Sequence, residues 1–296
     1  MQSLLSEIQK GRILISDGAW GTQLHELGLK PGECPELWNI EHFEDVLGIA
    51  KGYINAGSHM IETNSFGSHP IKLAHYGLQE RAFEINKSAA EISRAASGDD
   101  HFVLGSMGPT GVMLALGEVS EDEVYDGFYI QAKALAEGGS DVICIETMQD
   151  GDEAALAVKA AKESTDCEIM CTFTFAESGS GSFNTMMGLS IFNAMEVAKK
   201  AGADIIGSNC GNGIEGMVKI VKKIREFDNA TPVIVQANAG LPLLENGVTC
   251  FKETPEQMAG KVSELKDAGA NIIGGCCGTS PAHISAMVKA VASFPK

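Results

Sequence analysis

The chain has 296 residues, 44% of them hydrophobic and 34 of them glycine, with 39 acidic against 22 basic side chains and a formal net charge of −17. That is enough apolar material for a sizeable core, and it excludes a disordered chain. The acidity argues against a nucleic-acid or anionic-membrane partner, which clustered Lys and Arg would hold, and its spread along the chain without a long like-charge block reads as solubility.

Residues 1–15 include Glu7, Lys10 and Arg12, so they lack the unbroken apolar stretch of a signal peptide. No later stretch reaches the roughly 18 apolar residues that a membrane helix requires. The expectation is a cytoplasmic protein whose eight cysteines stay reduced and have to be explained one by one rather than as a disulfide framework. In chain order, short apolar runs predict eight strands: Ile13–Ser16, His59–Thr63, Phe102–Ser106, Val142–Glu146, Glu168–Thr174, Ile205–Asn209, Val233–Ala237 and Ile272–Gly275. Their near-continuous apolar character fits strands buried on both faces.

Between the strands, apolar residues three and four apart predict helices over Glu80–Ser97, Glu121–Ala136, Asp152–Glu163, Ser190–Ala201, Ile214–Phe227, Pro255–Ala268 and Pro281–Ala292. Ser120, Thr254 and Ser280 read as N-caps, the last two followed by proline at the first helical position. Four strands are entered through a similar tripeptide: Ala56-Gly57-Ser58, Gly138-Gly139-Ser140, Ala201-Gly202-Ala203 and Ala268-Gly269-Ala270. A glycine just past a helix end can take the left-handed conformation that stops the helix. Eight such units over about 250–300 residues predict an α/β fold, a single (β/α)8 TIM barrel forming one domain over residues 1–296. A doubly wound open sheet is the alternative, but no GxGxxG follows the first strand and there is no Walker loop.

A barrel of this kind builds its active site at the C-terminal ends of its strands. Here those ends carry Asp17-Gly18, Glu62-Thr63-Asn64, Ser106-Met107-Gly108, Glu146-Thr147, Phe175, Asn209-Cys210-Gly211, Asn238-Ala239-Gly240 and Cys276-Cys277-Gly278. Cys210 follows the sixth strand and Cys276-Cys277 the eighth, so short loops can bring three sulfurs together. Three thiolates at a barrel mouth describe a metal site, with zinc the favoured occupant and a fourth position open for catalysis. The alternatives are small buried thiols packed near glycine and a vicinal redox disulfide, which the strained ring of adjacent cysteines opposes. Cys144 and Cys171 lie within apolar strands, and Cys34, Cys167 and Cys250 in connecting stretches. All five read as core or surface thiols.

The motifs Asp17-Gly18-Ala19-Trp20-Gly21-Thr22-Gln23-Leu24, Glu62-Thr63-Asn64-Ser65-Phe66-Gly67, Gly105-Ser106-Met107-Gly108-Pro109, Gly207-Ser208-Asn209-Cys210-Gly211, Asn238-Ala239-Gly240-Leu241-Pro242 and Gly274-Gly275-Cys276-Cys277-Gly278-Thr279 resemble the homocysteine S-methyltransferase family. The likeness runs from the first strand to the last helix, and within the family it is closest to the homocysteine-binding domain of cobalamin-dependent methionine synthases. The resemblance implies one zinc ion held by Cys210, Cys276 and Cys277, with the homocysteine sulfur as an added ligand. It also implies that Asp17 and Glu146 hold the substrate ammonium, a pairing that suits two carboxylates, and that the product is methionine. Otherwise Asp17 is a first-turn cap and Glu146 part of a structural ion pair. Backbone N–H groups around Gly18-Ala19 or Ser106–Gly108 are candidate donors to the substrate carboxylate.

Some relatives have a tyrosine just after the second strand where this chain has Gly67, and Asn238 is the candidate fourth zinc ligand of the resting state. No Asp-x-His-x-x-Gly corrinoid motif is present and the eight units take up the chain, so no cobalamin or folate domain is expected within it. The donor is then expected from outside the chain, and the likeness to the methionine synthases favours a separate methylated corrinoid protein. A small donor such as S-methylmethionine or betaine is the alternative, and Trp20 and Phe66 are aromatic faces on which a cationic donor could stack. Two further readings are another small thiol or selenol as acceptor, and a non-catalytic homocysteine- or zinc-binding module.

Overall fold

A computed structural model describes residues 3–179, 181–245 and 248–294. Its main sheet has eight parallel strands: Leu14–Ile15, Met60–Glu62, Phe102–Met107, Val142–Met148, Glu168–Phe173, Ile205–Asn209, Val233–Ala237 and Ile272–Gly275. They match the eight predicted runs to within two residues at either end. Numbered by position in the chain, they lie in the order 1-8-7-6-5-4-3-2, the sequence of a ring opened between the first and second strands. At that seam His59 N–H donates to Ile15 O at 2.7 Å, Ile15 N–H donates to His59 Nδ1 at 2.9 Å, and Glu62 N–H donates to Asp17 Oδ2 at 2.9 Å. Side chains thus complete the closure where the first strand offers only two ladder residues, and the doubly wound alternative falls away.

The helix-to-strand entries behave as one device. Gly57, Gly139, Gly202 and Gly269 have φ of +98°, +107°, +111° and +106°, a conformation that costs a residue with a Cβ far more than glycine. Ser120 Oγ accepts Glu123 N–H, and Thr254 forms a capping box with Gln257, as their sequence positions suggest.

The segment predicted as one helix over Pro255–Ala268 is instead two, Pro255–Ala259 and Val262–Ala268. The break falls at Gly260, where glycine's poor helix propensity lets the chain re-aim, so that Val262, Leu265 and Ala268 are all buried. The predicted helix from Glu80 begins as a 3-10 turn over Gln79–Arg81 and becomes α-helical at Ala82. Two antiparallel hairpins, Ala176–Glu177 with Phe183–Asn184 and Leu243–Glu245 with Val248–Cys250, follow the fifth and seventh strands and were not evident in the sequence. Among the described residues no helix is long and apolar enough to cross a membrane.

The inside of the barrel has two levels. At the N-terminal level Leu14, Met60, Leu104, Cys144, Met170 and Ile234 pack together with Leu4 and Ile8, which the short helix Leu4–Ile8 inserts from below. Glu168, at the base of the fifth strand, holds that helix by accepting Leu4 N–H at 2.9 Å and the Ser3 hydroxyl at 2.7 Å. Side chains in a strand alternate faces, so the residue two positions on points inward one level higher. Applied to those six strand residues, the rule gives Ser16, Glu62, Ser106, Glu146, Thr172 and Gln236, all buried. The upper interior is therefore polar, and the functional site is built there.

Candidate metal and substrate site at the barrel mouth

The three predicted sulfurs converge. One ligand atom each from Cys210, Cys276 and Cys277 lies within 4.8 Å of the others, and Cys210 Sγ is 3.8 Å from Cys277 Sγ. A tetrahedron with Zn–S bonds of about 2.3 Å has an S···S edge of about 3.8 Å, so the donor set fits that ion's size and softness. The backbone holds the sulfurs in place: Cys210 N–H donates to Gln236 O, Cys276 N–H to Ala237 O, and Ala239 N–H to Cys277 O. Both cysteine-bearing loops are thus pinned to the seventh strand between them. Without a cation, S–H donors from Cys276 and Cys277 push the Cys210 thiol down to about 3, while Cys277 is pushed up to about 12 and Cys276 well above the usual thiol range. Ionising one sulfur thus makes it harder for its neighbours to ionise, and holding three thiolates together requires a bound cation.

The sulfurs open onto a cavity of about 390 Å³ whose wall also includes Glu36, Glu62 and Glu146 and, among the described residues, no Lys, Arg or His. Burial pushes Glu146 up to about 7 against the opposing Ser106 hydroxyl, which donates to its Oε1 at 2.5 Å. Burial, together with the charges of Glu146 and Asp17, pushes Glu62 well above the carboxylate range, and Gln236 Nε2 donates to Glu62 Oε1 at 2.6 Å. Asp17 is fully buried behind the wall and burial likewise pushes it up to about 7. Its Oδ2 accepts Glu62 N–H and Trp20 Nε1–H, both at 2.9 Å, and its Oδ1 has no partner. The cavity thus presents acceptors and sulfurs to whatever enters it, and a cationic group would relieve all of them.

Comparison with known proteins bears on this arrangement directly. A model of the homocysteine S-methyltransferase family matches residues 14–291. The chain belongs to that family. Methionine synthases of Mycobacterium tuberculosis and Mycobacterium leprae are each 30% identical to it, over 99% and 97% of this chain but 26% and 25% of their own, so the chain spans about a quarter of the length of these relatives. The homocysteine methyltransferase MmuM of Escherichia coli, in its metallated form, has the same fold with a TM-score of 0.79 at 23% identity, over 96% of this chain and 98% of its own. The carboxyl transferase domain of a Rhizobium etli pyruvate carboxylase gives 0.53 at 14% identity, over 96% of this chain and 49% of its own. At these identities the structural likeness is one of fold.

Within this homocysteine S-methyltransferase family barrel, the other predicted positions are placed as follows. Ser106 lies in the cavity wall with its hydroxyl committed to Glu146. Of the backbone donors suggested for a substrate carboxylate, Ala19 N–H is engaged by Thr279 Oγ1, Ser106 N–H by Thr63 Oγ1 and Gly108 N–H by Phe66 O. Gly18 lines the cavity, and a Cβ there would come 2.5 Å from Thr279 Oγ1. Asn238 stands beside the thiol cluster, where its amide helps to lower the Cys210 thiol, and among the described residues its buried Oδ1 has no partner.

Gly67 has a local cause: its N–H donates to Glu36 Oε1 at 2.7 Å and a Cβ would lie 2.5 Å from the same oxygen. A tyrosine there would displace Glu36. Trp20 is committed to Asp17, and one face of Phe66 already carries Lys72 Nζ at 4.9 Å. Glu62, Gln236 and Asn209 belong to the site by position, although motif reading alone assigned them no role. The alternation of each strand above its apolar interior residue was the signal that would have found the first two.

Two backbone features mark the site as strained. Among the described residues, the non-glycine residues with positive φ are Thr147 at +62° and Cys210 at +58°. Each such residue costs on the order of 1–3 kcal/mol unless its surroundings hold it. One directly follows Glu146, and the other is itself a sulfur donor.

Proposed function

We propose that this barrel binds homocysteine, with zinc held by Cys210, Cys276 and Cys277, and accepts a methyl group onto the homocysteine sulfur to give methionine. The observation that supports this reading is the meeting, in one cavity of about 390 Å³, of three convergent thiols with Glu36, Glu62 and Glu146 and no basic side chain. A dication answers the sulfurs and an ammonium answers the carboxylates. Homocysteine carries a thiol and an ammonium on one short chain, so it engages both ends at once.

A bound zinc ion supplies a thiolate at neutral pH, where a free thiol of pKa about 8.5 is only about 3% ionised. That gain is worth about 2 kcal/mol, so most of the acceleration has to come from alignment. Glu146, held by Ser106 Oγ–H, and Glu62, held by Gln236 Nε2–H, bind the ammonium, with Asp17 fixing Glu62 from behind. The amide of Asn238, whose Oδ1 has no partner among the described residues, would offer a bound zinc ion a weak oxygen donor in the fourth position. The protein works in the cytoplasm, where the sulfurs stay reduced.

For the donor we favour a methylated corrinoid protein acting in trans. About three quarters of each mycobacterial methionine synthase lies outside the match, leaving room there for functions beyond the barrel. The second reading is a small donor such as S-methylmethionine or betaine. One assay panel separates them: zinc-loaded protein and homocysteine with a methylated corrinoid protein, methylcobalamin, S-methylmethionine or betaine, and methionine measured. Turnover with the corrinoid donors is expected. Zinc and homocysteine binding without methionine from any donor would make the barrel a binding module.

A further inference from the structure

The two strained residues are joined by one residue, Asn209. Asn209 ends the sixth strand, is fully buried and lies outside the cavity wall. Its Nδ2 donates to Glu146 Oε2 at 2.9 Å and to Thr147 Oγ1 at 2.7 Å. Its Oδ1 accepts Thr147 N–H at 2.7 Å and the Thr172 hydroxyl at 2.8 Å. A primary amide has two donor hydrogens and two acceptor lone pairs, and all four are used. Its own carbonyl accepts the Thr174 hydroxyl at 2.8 Å, and its backbone runs directly into Cys210. The side chain reaches past the fifth strand, which lies between the sixth and the fourth.

One buried residue therefore grips both ends of the site. Through its backbone it sets Cys210, a sulfur donor, and through its side chain it sets Glu146 and the left-handed Thr147. We propose that Asn209 is a positioning residue that fixes the distance between the sulfur-binding and ammonium-binding ends, and so selects an amino-acid thiol with two methylenes between sulfur and Cα over one with a single methylene. The inference rests on the reading of the site given above. A cavity with both ends fixed measures the ligand that spans it, whereas a cavity with one end loose adapts to a shorter ligand. A difference of one methylene commonly yields about 10- to 200-fold discrimination.

The test compares homocysteine with cysteine on zinc-loaded wild type and on Asn209→Asp, which keeps the shape and the acceptor contacts but turns an oxygen toward Glu146. Affinities come from calorimetry, and the coordination change comes from the visible spectrum of the cobalt(II)-substituted protein on adding each thiol. The expected result is unchanged metal stoichiometry, with the preference for homocysteine reduced about tenfold or more through weaker homocysteine binding and little change for cysteine. Loss of packing alone would weaken both thiols together. Thr172→Val, which removes one hydrogen bond from the Asn209 amide, is expected to shift the ratio the same way by about threefold, and serves if Asn209→Asp does not fold. A metal-loaded variant that keeps the wild-type preference overturns the proposal. Wild-type protein that binds neither thiol overturns the functional reading itself.

Discussion

The lower and upper levels of the barrel interior are built by the same strands, two residues apart, and are nearly equally buried, yet their chemistry is opposite. Cys144 and Cys210 show the contrast within one residue type. Cys144 lies among apolar side chains, and burial pushes its thiol well above the usual range. Cys210 lies beside two further S–H groups and is pushed down. Below, Leu14, Met60, Met170 and Ile234 contribute by leaving water. Above, Glu62, Glu146 and Gln236 are just as withdrawn from solvent but bring charge or unsatisfied polar atoms, such as Gln236 Oε1. Burial without full pairing opposes folding, so the upper level is where the fold accepts a cost and a ligand can repay it.

The comparison can be broken most severely at the sulfurs. Cys276→Ala is expected to abolish zinc retention while leaving the fold intact; metal analysis after gel filtration reads this, and stoichiometric zinc would remove Cys276 from the ligand set. Ile234→Ala, one level down, is expected to lower stability by about 2–5 kcal/mol in denaturant unfolding, with turnover per folded molecule preserved. Glu62→Gln should leave stability unharmed and weaken homocysteine binding by about 1.5–3 kcal/mol, roughly 10- to 100-fold, measured as KM or by calorimetry with zinc content unchanged.

A pH series sharpens the contrast. Asp17 and Glu146 are held up to about 7 in the native state, against about 4 when unfolded. Below pH about 4 both states hold these protons and the contribution to stability is complete. Between about 4 and 7 only the unfolded state ionises, so stability is lost until pH passes the native values. Metal-free protein is therefore expected to melt several degrees higher at pH 5 than at pH 8, and a flat or opposite trend would show these carboxyls already ionised. The smallest effect belongs to Ser106→Ala, which removes one donor from Glu146. It should cost about 1 kcal/mol, seen as a KM raised about fivefold with little change in kcat.

Much of the architecture was legible because half of the eight repeats carry their own punctuation. The glycines of the four helix-to-strand entries occupy the left-handed region, and the eight apolar runs became eight strands. Cys210, Cys276 and Cys277 were legible because strand ends in such a fold converge. What escaped was set by contacts between distant segments. Gly260 breaks a helix whose periodicity reads as continuous, and the hold of Glu62 N–H and Trp20 on Asp17 Oδ2 joins segments far apart in the chain. The hairpin Leu243–Glu245 with Val248–Cys250 is too short to show a strand's periodicity. Nor could spacing reveal that Asn209 would meet Glu146, since 63 residues separate them.

The helix Leu4–Ile8, fastened by Glu168, gives the molecule a closed floor. Among the described residues the sulfurs open toward the mouth at the C-terminal ends of the strands, the side opposite that floor. Under the proposed function, an acceptor seated deep against Cys210 arrives before a bulky donor covers the mouth, and the product leaves after the donor has withdrawn. If the barrel acts as proposed above, its geometry orders the traffic, thiol first in and thioether last out, although the floor lies a full level below the sulfurs.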